Sequence, residues 1–228
     1  MRRTIVLALA LALAQALSAA ESIPQLKEAA ETSVKAAAAA PGDYAANWTA
    51  AMAARKYGDE MVSQEYEGWK TLAKAAARDG MKYGEIATKL NPKGIEGWYW
   101  YGLNVGTYSD CVSIVTALAE GLKGKTQKSF ETSYGLDKMY DKGGPILAIG
   151  RFWQVLPGIA GKDLKKAERL FTEYIGLFGA AKDPNMDAWY YRGSLYKEQG
   201  KTAEARADLQ KAVSMGQKDA AKLLAELK

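Results

Sequence analysis

A short pattern of large and small residues recurs three times along this 228-residue chain and constrains its fold more than any other feature. In each occurrence, an apolar residue is followed four positions later by a glycine and three positions after that by another apolar or aromatic residue. Steps of four and three keep all three residues on one face of an α-helix, where the glycine lets a partner helix come close. The occurrences are Trp98, Gly102 and Val105, then Ile146, Gly150 and Trp153, then Trp189, Gly193 and Tyr196.

A second set with the same spacing follows each occurrence and predicts a second helix. Its members are Thr126, Phe130 and Ser133, then Ala167, Phe171 and Tyr174, then Ala205, Leu209 and Ala212. Each unit is therefore predicted to be a helical hairpin that buries its apolar face only by stacking on its neighbours. No interval shows sustained period-two alternation of β-branched residues, so we expect no strands.

This order of residues resembles the tetratricopeptide repeat (TPR), a helical hairpin of about 34 residues. The last unit, residues 186–217, is the most similar, although Arg192 stands where Leu is usual. A looser first unit begins at Trp48. The resemblance implies an all-α fold: a right-handed α-solenoid of about four TPR-like hairpins, with capping helices over residues 24–40 and 217–228. Trp98, Trp153 and Trp189 are expected in its core.

Short motifs between the pattern residues narrow the resemblance to the T-component family of TRAP (tripartite ATP-independent periplasmic) transporters. They are Asn91-Pro92, the aromatic run 98–101, Gly143-Gly144-Pro145 and Leu156-Pro157-Gly158. The resemblance implies association with a periplasmic solute-binding protein and a small acidic or apolar ligand. That family includes lipoproteins, but this chain has no cysteine near the expected start of its mature form, so the resemblance implies no lipid anchor here.

The first residues are typical of a targeting segment. Arg2 and Arg3 precede an apolar stretch, and the small residues Ser18 and Ala20 suit cleavage by a signal peptidase. We therefore expect a cleaved signal peptide over residues 1–20, a solenoid domain over residues 21–228 and a periplasmic location. The alternative is an uncleaved membrane anchor, but the apolar stretch is shorter than the about 20 residues that span a bilayer.

Composition excludes several kinds of chemistry. The chain has no histidine and one cysteine, Cys111, which rules out an imidazole zinc site, a Ser/His/Asp triad and a disulfide within one copy. Carboxylate pairs such as Asp137 and Asp141 have the spacing of ordinary solvated helix faces, so we expect no enzyme and no cofactor. The net charge of +5 has no focused basic patch, which argues against nucleic acid as a partner.

Candidate ligand-binding residues follow from the resemblance, because the first helix of each TPR lines the inner surface at fixed offsets. Arg151 is the most informative of them, since a guanidinium matches a carboxylate with two charge-assisted hydrogen bonds. Its alternative role is an ion pair between helices inside the solenoid. The mixture of aromatic, apolar and cationic groups suits an extended peptide or an organic acid. The offsets give Tyr99, Leu103, Leu147, Arg151, Gln154, Tyr190, Ser194 and Lys197.

Two functions are compatible with these features. The first is a non-catalytic periplasmic accessory of a TRAP-type transporter, and the second is a general periplasmic TPR scaffold that binds a peptide or another protein through its inner face. The apolar insertion over residues 106–125 predicts either an extra packed helix or an apolar patch for another subunit, so self-association through it is also open.

Overall fold

The computed structural model describes residues 21–227, which fold into eleven α-helices and a short 3-10 turn with no strand among them. The turn is Gly158–Ala160. The helices are α1 Ile23–Ala39, α2 Tyr44–Ser63, α3 Trp69–Leu90, α4 Ile95–Asp110, α5 Ile114–Ala119, α6 Leu122–Asp137, α7 Tyr140–Val155, α8 Leu164–Phe178, α9 Asp187–Glu198, α10 Thr202–Ser214 and α11 Lys218–Ala225.

The helices pack as four successive hairpins. The pairs are α2 with α3, α4 with α6, α7 with α8, and α9 with α10, and each pair also contacts the next. Helices α1 and α11 cover the two ends, and α5 lies in the connection inside the second hairpin. The prediction of an all-α solenoid of about four hairpins with a cap at each end is confirmed.

The pattern glycines lie where paired helices come closest. A Cβ atom added to Gly102 would lie 2.7 Å from the Phe130 ring, and one added to Gly150 would lie 2.7 Å from the Phe171 ring. Gly193 approaches the side chain of the second helix of its hairpin in the same way. These distances leave no room for a side chain, which explains why the pattern requires glycine at this position.

The pattern tryptophans are not all core residues. Trp189 is 6% exposed, as expected. Trp98 and Trp153 are only half-buried, which corrects the prediction. The ammonium groups of Lys128 and Lys166 lie 5.3 and 3.8 Å from the centres of the Trp98 and Trp153 rings. A lysine stem shields an aromatic face while its charge stays in water, so a partly exposed tryptophan is tolerated at these positions.

Helix α7 begins with a turn of left-handed backbone. Asp141, Lys142 and Gly143 all have positive φ, and the regular helix follows from Gly144 onward. Pro145 then falls in its first turn, where a missing backbone N–H costs no hydrogen bond. This turn directs the Asp141 carboxylate to the hydroxyl of Tyr99 on α4, which donates to it at 3.1 Å.

The apolar insertion in the second hairpin forms a helix but does not bury it. Tyr108 and Leu122 on either side are buried in a small cluster, whereas Ile114, Val115 and Leu118 of α5 are 57%, 71% and 66% exposed. Of the two predicted alternatives, the extra helix is present and its apolar side chains nevertheless form an exposed patch. We call Ile114, Val115 and Leu118 the α5 patch.

The predicted signal peptide, residues 1–20, lies outside the described residues. Within residues 21–227, no helix has both the length and the apolar character needed to cross a membrane.

Candidate functional site

A cleft of about 760 Å³ opens between the first helices of the hairpins. Helices α2, α4, α7 and α9 contribute to its walls, α5 and α6 border it on one side, and the turn after α7 borders it on another. Its volume falls in the range of small-molecule sites in proteins. The cleft combines a polar floor with an apolar rim.

Arg55 of α2 is held rigidly at the floor of the cleft. Its Nη1 donates to the backbone oxygen of Leu103 at 2.9 Å and to the hydroxyl of Thr107, both on α4. Its Nε lies 2.6 Å from a carboxylate oxygen of Asp59, one helical turn further along α2. These contacts join α2 to α4, so the main role of Arg55 is to shape the floor.

Arg151 of α7 differs because few of its donors are engaged. Its Nη1 donates to Gln154 Oε1 at 2.9 Å, and its guanidinium lies 4.8 Å from the centre of the Tyr191 ring. Among the described residues, no carboxylate lies within ion-pair distance of it. Within residues 21–227, Arg151 therefore does not form the interhelical ion pair that was its alternative role. Its guanidinium keeps N–H donors free for a ligand.

Gln154 acts as the support of Arg151. It is 3% exposed, and its Nε2 donates to the backbone oxygen of Tyr191 at 3.0 Å while its Oε1 accepts from Arg151. The amide thus links α7 to α9 and fixes the guanidinium against the Tyr191 ring. Gln154 itself does not line the cleft.

The tyrosines of the cleft are kept neutral by their surroundings. Burial, together with the neighbouring Asp141 carboxylate, holds the pKa of Tyr99 well above its usual value. Burial, together with the Asp187 carboxylate, likewise raises the pKa of Tyr191. Both hydroxyls therefore remain hydrogen-bond donors at any physiological pH, and neither is suited to act as a base.

The charged form of two carboxyl groups in the cleft is disfavoured because the protein weakens their solvation. Burial raises the pKa of Asp59 and of Asp110, and only part of the rise is offset by Arg55 near both and Arg151 near Asp110. The Asp59 side chain is still 48% exposed. This exposure is compatible with a raised pKa, because a carboxylate in a concave site can touch water while protein on most sides weakens its solvation.

The rim of the cleft is apolar and exposed. Ile114 and Leu118 of the α5 patch line it, as does Val155 at the end of α7, which is 49% exposed. Leu103 and Leu147 continue this surface inward toward the floor. A ligand that binds here would bury apolar surface against these side chains, at about 25 cal/mol per Å².

The predicted binding residues divide into two groups. Tyr99, Leu103, Leu147 and Arg151 line the cleft, and Gln154 supports them from behind. The three residues predicted on α9 do not line it: Tyr190, Ser194 and Lys197.

Asp187 and Tyr191, four residues apart on α9, face the cleft. Ser194 lies on the same face but one turn further along the helix. Tyr190 and Lys197 lie on the adjoining face, where Lys197 forms an ion pair with Glu226, just after α11. Tyr190 packs on the core that includes residues of α11. The cap therefore occupies the surface that a further repeat would have covered.

Sequence reasoning missed Arg55, Asp59, Asp110, Tyr191 and the contribution of the α5 patch. Arg55 and Asp59 belong to the first unit, which matches the repeat pattern least well. Their i, i+4 spacing was the one sequence signal that could have predicted an ion pair between them. Asp110 ends α4, and its place in the cleft depends on the insertion that follows.

The arrangement of these side chains suits the binding of a small ligand with charged and apolar groups. The described residues contain no group of three or more acidic or cysteine side chains placed to hold a metal ion. The fold and the cleft together define a TPR-like helical scaffold with a ligand-sized inner cleft.

Comparison with known proteins agrees with this class. The crystal structure of a thermophilic TPR protein from Thermus thermophilus superimposes with a TM-score of 0.61, at 14% sequence identity, over 90% of this chain and 91% of that chain. At this identity the likeness shows the fold alone. No protein-family model matches the chain, and no curated protein matches its sequence.

Proposed function

We propose that this protein is a non-catalytic, periplasmic TPR-like accessory of a TRAP-type solute transporter, which binds a small organic ligand in its cleft and docks on a solute-binding protein. The observation that carries the binding role is the cleft of about 760 Å³ in which Arg151 keeps unengaged donors beside an apolar rim. A guanidinium held by Gln154 and Tyr191 is ready to receive a carboxylate without further ordering.

The transporter role rests on the sequence motifs, and their positions in the fold are consistent with it. Asn91-Pro92 precedes α4, Gly143 ends the left-handed turn of α7, and Gly144-Pro145 start its regular part. Gly144 and Pro157 line the cleft, so two of the motifs that carry the resemblance help to shape it. The periplasmic location is proposed from the targeting segment at residues 1–20.

A thermal-shift screen of organic acids tests the binding role. A compound that binds only the folded protein stabilises it by about 2.7 kcal/mol at a hundredfold excess over its Kd, which raises Tm by several degrees. We expect such a shift with an apolar monocarboxylate, and a much smaller one in an Arg151→Gln variant. Absence of any shift across aliphatic, aromatic and dicarboxylic acids would contradict the binding role.

The partner is tested by affinity purification from the periplasm. We expect a TRAP-type solute-binding protein to be retained by the mature chain. If other envelope proteins are retained instead, and if Arg151→Ala leaves their retention unchanged, the general TPR scaffold is the better description. The exposed α5 patch favours this second candidate, since an apolar helix face can also receive a protein.

A further inference from the structure

Asp110 occupies an unfavourable position for a carboxylate. It is the last residue of α4, where the aligned peptide dipoles place partial negative charge, and it lines the cleft. Its side chain is exposed and, among residues 21–227, accepts no hydrogen bond and forms no ion pair. An acidic side chain at a helix C-terminus without a partner costs stability, so a cationic group that enters the cleft would stabilise Asp110.

The charges that line the cleft are balanced. Arg55, Lys56, Lys123 and Arg151 are the cations, and Asp59, Asp110, Asp141 and Asp187 are the anions. A site built only for an anion would carry an excess of positive charge. An anionic ligand placed at Arg151 would leave the Asp110 carboxylate without a partner and bring a second negative charge near it.

The other three anions already have partners within the described residues. Asp59 pairs with Arg55, Asp141 accepts from the Tyr99 hydroxyl, and Asp187 accepts from Gln217 at 3.1 Å. Asp110 is therefore the cleft carboxylate that has neither a hydrogen-bond donor nor an ion-pair partner among residues 21–227, which makes it the most available to a cationic group of a ligand.

Asp110 and Arg151 line the same cleft. They do not form an ion pair with each other, although Arg55 and Arg151 partly offset the rise in the pKa of Asp110. A ligand in the cleft can therefore meet free acceptors on Asp110 and free donors on Arg151.

We infer that the cleft binds a zwitterionic ligand whose ammonium group meets Asp110, whose carboxylate meets Arg151 and whose apolar side chain lies against Leu103 and the exposed rim. Apolar α-amino acids and short apolar peptides have this chemistry. The aliphatic character of the rim, with Ile114, Leu118 and Val155, favours aliphatic over charged side chains. This inference rests on the proposed binding role and names the class of ligand.

Isothermal titration calorimetry with four probes tests the inference. Leucine and leucyl-leucine carry both charged groups, 4-methylpentanoate lacks the ammonium group and leucinamide lacks the carboxylate. We expect at least one of the two zwitterions to bind about tenfold or more tightly than either single-charge analogue, because each removes one charge-assisted contact. The tighter of leucine and leucyl-leucine identifies the length of the ligand.

Two variants connect the effect to named residues. Asp110→Asn should weaken the zwitterion about tenfold or more and let 4-methylpentanoate bind at least as tightly as it binds the wild type, because a carboxylate that repels the acid is gone. Arg151→Gln should weaken both. Asp137→Asn is a matched control, since Asp137 also ends a helix but does not line the cleft. Arg169→Gln is the control for Arg151, because Arg169 is exposed on α8 outside the cleft.

The outcomes separate the inference from the proposed function. If 4-methylpentanoate binds as tightly as the zwitterions, the inference is wrong while the organic-acid role stands. If no probe binds and the acid screen is also negative, both fail. Zwitterion binding that Asp110→Asn leaves intact would also contradict the inference. Circular dichroism and Tm of each variant show whether it is folded.

Discussion

The guanidinium of Arg192 on α9 holds the carboxylate of Asp208 on α10 through two hydrogen bonds, from Nε at 2.6 Å and from Nη2 at 2.9 Å. Both side chains are largely buried between the helices of the last hairpin. Arg192 occupies the pattern position where TPR sequences usually have Leu, so an ion pair replaces an apolar contact. The forked guanidinium of Arg192 donates to both oxygens of Asp208, which satisfies this buried carboxylate.

Removal of Arg192 alone should destabilise the protein. Arg192→Ala leaves Asp208 buried without its partner, which costs about 3 kcal/mol. The double variant Arg192→Leu with Asp208→Ala restores an apolar contact and should recover most of that loss. Urea denaturation of Arg192→Leu, Asp208→Ala and the double variant measures the coupling in a mutant cycle, and Arg192→Ala is measured beside them. A loss for the double variant equal to the sum of the single losses would show that the pair is not coupled.

The close approach at Gly150 predicts a steric effect. Gly150→Ala would place a methyl group 2.7 Å from the Phe171 ring and 3.3 Å from Leu170, which should cost about 1–3 kcal/mol of unfolding free energy. Gly176→Ala on the exposed face of α8 is the control, because nothing lies within 4 Å of its added Cβ. The control should stabilise the protein by up to about 1 kcal/mol. Equal effects of the two changes would contradict the packing described here.

Asp110→Asn should stabilise the unliganded protein at neutral pH while it impairs binding. The Asp110 side chain touches water, but the protein around it in the concave cleft weakens its solvation and raises its pKa above that of the unfolded chain. The folded form therefore loses stability as pH rises through the interval between the two pKa values. Removal of the charge should raise the unfolding free energy by about 0.5 kcal/mol, as expected for a charge at a helix C-terminus.

The pH dependence of that gain is a further check. Below the usual Asp pKa of about 3.9, Asp110 is protonated in both the folded and the unfolded chain, so the difference in Tm between wild type and variant should vanish there. Thermal unfolding between pH 3 and pH 7 measures it. A difference that stays constant over this range would show that the charge of Asp110 is not its cause.

The α5 patch should contribute to binding and little to stability. Leu118→Ser removes an apolar side chain that is 66% exposed, so we expect a change in unfolding free energy within about 0.5 kcal/mol but a weaker affinity for ligand or partner. Leu122→Ala nearby is the contrasting variant. Leu122 is 1% exposed, and its truncation should cost about 2–5 kcal/mol. A large loss of stability in Leu118→Ser would mean that the patch is packed.

The helical pattern predicts the hairpins but not the site they form. Gly102, Gly150 and Gly193 could be recognised because close helix approach leaves a fixed spacing in sequence. The partial exposure of Trp98 could not be predicted from the sequence, because it depends on the packing of Lys128 from another helix over the ring.

The same limit applies to the cleft. Arg151 could be predicted as a cleft residue because it stands at a position that lines the inner surface of each TPR. The position of Asp110 in the cleft depends on the insertion after α4, which is not part of the repeat pattern. The offset also places Lys197 among the candidate binding residues, whereas in the structure it pairs with Glu226 beside the C-terminal cap, which a repeat pattern does not describe.

Native mass spectrometry of the protein, purified without denaturation from the cells that make it, shows whether a small molecule occupies the cleft. We expect a population heavier than the polypeptide by one small organic molecule, and loss of that population in Arg151→Gln but not in Arg169→Gln. Recovery of wild-type protein at the bare polypeptide mass alone, or a bound molecule retained equally by Arg151→Gln, would contradict the proposed binding role.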